Sequence, residues 1–107
     1  MSDEREIIWS PLAREDLVQA RGYLASHDKE AAAGFANAIL DAVNRLRSFP
    51  EIGARLDGFP IFPDLRSFVV SSHRLIYRVT ADSIVVLRVW DCRQDPARLW
   101  QGMEEPE

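Results

Sequence analysis

The chain has 107 residues, the size of one compact domain, with 47% hydrophobic and 28% charged residues. That balance excludes a disordered chain, and two separate cores would each be too small to bury enough apolar surface. The net charge is −4 and the isoelectric point near 5.2, which argues against bulk attraction to nucleic acid or an anionic membrane as the main driver of function.

All 13 basic residues but Lys29 are arginine. The planar guanidinium suits carboxylates, phosphates and bases. A GC-rich genome accounts for the excess equally well. Cys92 is the lone cysteine, so neither an intrachain disulfide nor a thiolate metal cluster is available. Near the start only Ile7, Ile8 and Trp9 form an apolar run, too short for a secretory signal or for a span of about 20 residues. A reducing, cytoplasmic setting is expected, with no membrane partner.

Residues 1–107 read as one domain, with Met103–Glu107 expected to fray. The Ile7–Trp9 run predicts a short strand. Ser10-Pro11 then predicts a helix start, because serine can cap an orphan amide and proline at the first helical position wastes no donor. Ala13, Leu17, Ala20 and Leu24 form one apolar stripe behind it. Ser26-His27-Asp28 breaks the pattern, and Asp28 can cap a second helix whose stripe is Ala32, Phe35, Ala36, Ile39, Val43 and Leu46. That helix should stop near Phe49-Pro50, and so short a turn between the two predicts an antiparallel hairpin.

From Gly53 to Asp64, glycine and proline alternate with Phe59, Ile61 and Phe62, which suggests a packed loop. Strand-like runs follow at Leu65–Val70, Arg74–Val79 and Ser83–Trp90, separated by gaps suited to hairpins. Alternation puts Leu75, Tyr77 and Val79 on one face of their strand, and Val85, Leu87 and Val89 on one face of the next. These faces should cover the helices. The opposite faces carry Arg74, Ile76 and Arg78, then Ile84, Val86, Arg88 and Trp90. A short helix is expected from about Pro96 to Trp100. The order is β-α-α-β-β-β, an α+β fold with a helical hairpin packed on a small, mostly antiparallel sheet.

Five segments in this order carry a family resemblance. They are Trp9-Ser10-Pro11-x-Ala13-x-x-Asp16-Leu17, Leu46-x-x-Phe49-Pro50-x-x-Gly53, Arg66 at a strand start, His73-Arg74-Leu75-Ile76-Tyr77-Arg78-Val79, and Ile84-x-x-Leu87-x-Val89-Trp90-Asp91. The chain resembles the RelE/ParE superfamily of type II toxin–antitoxin toxins. The resemblance implies a toxin neutralised by a cognate antitoxin, and two contrasting activities. RelE- and YoeB-like members cut mRNA on the ribosome without a metal, through attack by the RNA's own 2′-hydroxyl. ParE-like members inhibit DNA gyrase.

RNA cleavage needs a base, an acid and cations around the phosphorane. Between residues 66 and 93 five arginines face only Asp82 and Asp91. A nuclease reading would use Arg66, Arg74 and Arg93 with His73 as acid or base, and the resemblance to YoeB-like strands places Arg74 at a phosphate-contacting position. Those nucleases follow Cys-Arg with a nearby His-Tyr pair, whereas this chain reads Cys92-Arg93-Gln94-Asp95-Pro96. RelE-like sites also use lysines on the sheet, and Lys29 lies in the helical part.

The ParE-like branch is therefore expected, with no cofactor and no metal. Its target-binding set is Arg66, Arg74, Arg78, Arg88, Trp90 and Arg93, its target DNA gyrase rather than ribosome and mRNA. Growth arrest and plasmid stabilization are the expected consequences. A protein-binding module of the same fold is the third reading. Plainer roles stand beside these: His73 as a solvated turn residue, Tyr77 as core, Arg78 and Arg88 as partners of acidic neighbours. Asp91 and Arg93 can form an ion pair fixing the C-terminal turn, Trp100 can seal the underside of the core, and Cys92 can be a small buried group.

Overall fold

The computed structural model describes residues 4–56 and 64–99. Phe59, Ile61, Phe62, Trp100 and Met103–Glu107 lie outside the described residues. Strand β1 (Glu6–Trp9) leads into helices α1 (Pro11–Ala25) and α2 (Lys29–Leu46). Four further strands follow: β2 (Ala54–Arg55), β3 (Leu65–Val70), β4 (His73–Val79) and β5 (Ser83–Asp91). They form one sheet in the order β1-β5-β4-β3-β2, parallel only between β1 and β5.

Both helix starts follow from their first residues. Ser10 Oγ accepts the Ala13 amide at 3.0 Å, with Pro11 at the first helical position. Asp28 Oδ1 accepts from the Glu30 amide at 2.9 Å and the Ala31 amide at 3.3 Å. The turn between the helices is short, so they pack as neighbours. The α2 stripe is deeply buried through Phe35, Ile39, Val43 and Leu46, whereas α1 fully buries only Ala13 and half-buries Leu17, Ala20 and Leu24.

The helices cover one face of the sheet, where Leu75, Val86 and Val89 meet Phe35 and Ile39, and Tyr77 and Ile84 meet Leu46. Leu75, Tyr77 and Val79 lie on this face as alternation predicts. In β5 the expectation for Val85 and Leu87 fails: Ile84 and Val86 take the helix face instead. The cause is a β-bulge. Ile76 pairs with Arg88 and Tyr77 with Val86, so Leu87 is skipped and the alternation resets beyond it. Leu87 packs on the far face with Leu65, Ile76 and Trp90.

The far face is partly covered by the C-terminal segment. The short helix expected from about Pro96 is a 3₁₀ turn at Pro96–Arg98, and Leu99 after it joins the Leu65–Ile76–Trp90 cluster. The β3–β4 hairpin turns through Ser71, whose φ of 58° lies in the left-handed region.

After α2 the chain is held by a phenol. The Tyr77 hydroxyl donates to Pro50 O (2.8 Å) and accepts from the Gly53 amide (2.9 Å). Gly53 is there because nothing larger fits: a Cβ would stand 2.5 Å from Tyr77 Oη and 2.7 Å from Ser67 O. Gly53→Ala is therefore expected to cost about 1–3 kcal/mol in a urea titration, the range for overpacking a filled site. An unchanged midpoint would contradict the tight approach.

Candidate functional site

Cross-strand register sorts the arginines. Residues paired across an antiparallel ladder point to the same face. On the far face Arg74 stands between Val69 and Trp90, Arg78 between Leu65 and Val85, and Arg88 opposite Ile76. Arg74 Nη1 donates to Ser67 Oγ at 3.2 Å. Arg66 is opposite Tyr77, on the helix face, where its Nη1 donates to Gly53 O at 2.8 Å. It fastens the loop after α2 beside the Tyr77 hydroxyl. Arg93 and His73 lie at the other end of the helix face, His73 directly opposite Asp91. Four of the expected target-binding residues, Arg74, Arg78, Arg88 and Trp90, thus share the far face, where Arg88 and Trp90 are buried, and Arg66 and Arg93 do not join them.

Arg88 is the most committed of these. Its Nε donates to Asp16 Oδ2 at 2.8 Å and its Nη2 to Asp16 Oδ1 at 2.7 Å, with side chains only 9% and 12% exposed. Nη1 donates to Leu99 O at 2.9 Å, and the guanidinium carbon lies 5.0 Å from the Trp90 ring centre. The acidic partner foreseen for Arg88 thus exists, but on α1 and in a buried setting. The same carboxylate accepts the Val89 amide at 3.0 Å. Asp16 thereby closes the edge of β5 beyond the end of β1.

The role of Asp16 escapes a sequence reading, although it left a trace. It stands three residues after Ala13 and four before Ala20, an acid among apolar stripe positions.

His73 is not a solvated turn residue. It opens β4 and is only 5% exposed, with its ring 4.6 Å from that of Phe35 and Nδ1 3.3 Å from Ser72 Oγ. Burial lowers its pKa below 6.5 and is the largest influence; Asp91 and Asp16 oppose it, and Arg93 reinforces it. Asp91 forms the foreseen ion pair: Arg93 donates through Nε (3.0 Å) and Nη2 (2.7 Å), and its backbone amide binds Asp91 Oδ1 at 2.9 Å. The Arg93 side-chain bonds are the main reason the Asp91 pKa falls to about 2. Cys92 is exposed, not buried.

These groups line a cleft of about 480 Å³ between α1 and the upper ends of β4 and β5. Ala20, Tyr23 and Leu24 form its helical wall, and Trp90, Asp91 and Arg93 stand opposite. Among the described residues no three His, Cys, Asp or Glu side chains are grouped to hold a metal. No helix among them is long and apolar enough to cross a membrane.

Two outcomes are expected. Asp16→Ala removes the carboxylate that neutralises the buried Arg88 charge and should cost about 3–5 kcal/mol by chemical denaturation, whereas Asp16→Ala with Arg88→Met should recover part of that loss. Equal losses in the single and double variants would refute the pairing argument. For His73, the folded pKa is the depressed one, so the folded state takes up its proton less readily than the unfolded chain. Stability is full above pH 6.5 and falls as pH drops through 6.5 towards the folded value. His73→Gln should flatten that slope in denaturant midpoints measured between pH 5 and 8.

Residues 7–96 match the family described as the ParE toxin of type II toxin-antitoxin system, parDE. Toxin ParE3 of Caulobacter vibrioides is 34% identical over 61 residues, 57% of this chain and 59% of that protein, so the match spans less than two thirds of the relative's length. Two solved structures share the fold. A chain of the chromosomal ParDE system from P. aeruginosa aligns with a TM-score of 0.68 at 20% identity, over 84% of this chain and 98% of that one. A chain of the RelBE2 toxin-antitoxin complex from Mycobacterium tuberculosis aligns at 0.58 and 20% identity, over 83% and 92%. With its β-α-α-β fold start and the matched stretch running from β1 to the 3₁₀ turn, the chain belongs to the ParE toxin family of type II toxin–antitoxin systems.

Proposed function

We propose that this ParE-family toxin is held by a cognate antitoxin and, when released in the cytoplasm, arrests growth by binding DNA gyrase rather than by cutting mRNA. The observation that carries the choice is the placement of His73 and Arg74. They are neighbours in β4, so they project from opposite faces of the sheet. An acid or base at His73 and a phosphate clamp at Arg74 would have to meet within hydrogen-bond reach of one scissile phosphate. Arg66 is on the helix face with His73, but four residues up the paired strand from its level, about 13 Å at 3.3 Å per residue. Its guanidinium is already spent on Gly53 O.

The target surface in this reading is the far face, where Arg74 and Arg78 stand beside exposed Val69 and buried Trp90. Arginine is a typical anchor of a protein target, and buried Trp90 backs the patch from beneath. The antitoxin surface is the helical hairpin and the adjoining groove. Val18 is 69% exposed and Tyr23 60% exposed on α1, and Leu40 is exposed on α2. Large apolar side chains held in water on a helix pair suit a partner segment. The ParDE and RelBE2 relatives come from toxin–antitoxin systems, which supports a partner of that kind here.

Pulse labelling in the first minutes after induction of this chain alone tests the proposal. DNA synthesis should stop first while protein synthesis continues, and Arg74→Ala should abolish the arrest with the fold intact by circular dichroism. Early arrest of translation would favour the mRNA reading instead. A folded, fully toxic Arg74→Ala variant would move the target surface away from the far face.

A further inference from the structure

The α1 cleft has an unusual charge balance. Its two carboxylates and two guanidiniums are already joined to each other, Asp16 to Arg88 and Asp91 to Arg93, each pair by two side-chain bonds. An incoming anion would meet cations already satisfied and two fixed carboxylates, and an incoming cation the converse. His73, also in the lining, has its pKa lowered by burial, which favours the neutral imidazole at pH 7. The cleft therefore favours an uncharged occupant.

It is not a plain apolar hole either. Gln19, Gln94 and Ser72 place amide and hydroxyl groups around walls made by Ala20, Leu24 and Trp90. A purely aliphatic guest would leave those polar groups without partners once water was expelled. Flat surfaces stand at the mouth. The Arg93 guanidinium is locked by Asp91 while its side chain stays 69% exposed. The Tyr23 ring is 60% exposed and rests 4.9 Å from the His27 ring. A guanidinium fixed in place offers its face to an aromatic ring at little further entropic cost. At about 480 Å³ the cleft is at the small end of ligand pockets, room for one ring system rather than a helix.

We propose that this cleft is an anchor pocket for a single tryptophan side chain of the partner chain, stacked between Arg93 and Tyr23 with its indole N–H turned to the polar rim. That the partner is the antitoxin rests on the function proposed above. The pocket itself can be tested without any partner.

The probe is N-acetyl-L-tryptophanamide, titrated into the ¹⁵N-labelled chain and followed by amide chemical shifts. Saturable shifts are expected at Ala20, Leu24, Val89 and Gln94, with a dissociation constant on the order of 1 mM, a strength fitting one unlinked side chain. The amides of N-acetyl-leucine, N-acetyl-glutamate and N-acetyl-lysine should bind at least tenfold more weakly. Tyr23→Ala should weaken the tryptophan probe at least threefold. Gln19→Trp should fill the cleft from its rim and remove the saturable shifts; because both side chains are exposed, both variants should keep dispersed spectra. Shifts that do not saturate, that fall elsewhere, or that the leucine or charged amides match would overturn the pocket. Absence of growth arrest with the probe still bound in the cleft would instead overturn the toxin reading and leave the pocket standing.

Discussion

The Asp16–Arg88 pair is the contact on which the arrangement of the chain turns. Strand β5 is nine residues long, yet β1 accompanies it only from Ser83 to Val86. Beyond that point an uncovered edge would leave backbone groups open to another strand. The chain closes it from the start of α1 instead. Ser10 donates its amide to Val86 O and its hydroxyl to Leu87 O, and six residues later Asp16 takes the Val89 amide. Arg88 neutralises that carboxylate and reaches Leu99 O with its remaining arm. One buried ion pair thus joins the first helix, the bulged strand and the C-terminal segment.

Its energetic meaning lies in what happens when half of it is removed. Desolvating two ions offsets much of their attraction, so the pair adds less to stability than its short distances suggest. The pair instead dictates which arrangements are affordable only when complete: a shifted register would bury one charge alone. The bulge at Leu87 has a related consequence, since without it Arg88 and Trp90 would both move to the opposite face, away from Leu65 and Leu99. Tyr77, Gly53 and Arg66 do comparable work at the other end, tying the loop after α2 to the sheet.

The proposed function divides along the sheet. The far face presents Arg74 and Arg78 beside exposed Val69, whereas the helix face ends in a cleft whose charges cancel, with buried Trp90 touching both. A partner gripping α1 and a target touching the far face would meet different chemistry, with Arg88 and Trp90 at the β5 edge between them. Asp16 and Arg88 lie between the two surfaces, in contact with residues of each.

Much of the fold was legible locally. Ser10-Pro11 and Asp28 mark the helix starts, and the two stripes predict the hairpin, because capping and amphipathic period are set by residues within one or two turns. The strand boundaries around β3 to β5 were legible for the same reason. The helix-facing residues of β5 were not, since a bulge arises from the register between two strands and leaves no mark in the alternation of one. His73 looked like a turn residue beside two serines; only the packed helix shows that Phe35 shields it.

The sequence by itself determined the helices, every strand but the two-residue β2, the arginine-rich stretch and the family. Tertiary structure alone decided which arginines remain available. Arg66, Arg74, Arg88 and Arg93 have the same side chain, but Gly53 O, Ser67 Oγ, Asp16 and Asp91 are the respective partners, drawn from four different parts of the fold. The physical reason is distance: Asp16 and Arg88 are 72 positions apart in the chain and 2.7 Å apart in space, and no local pattern encodes such a meeting.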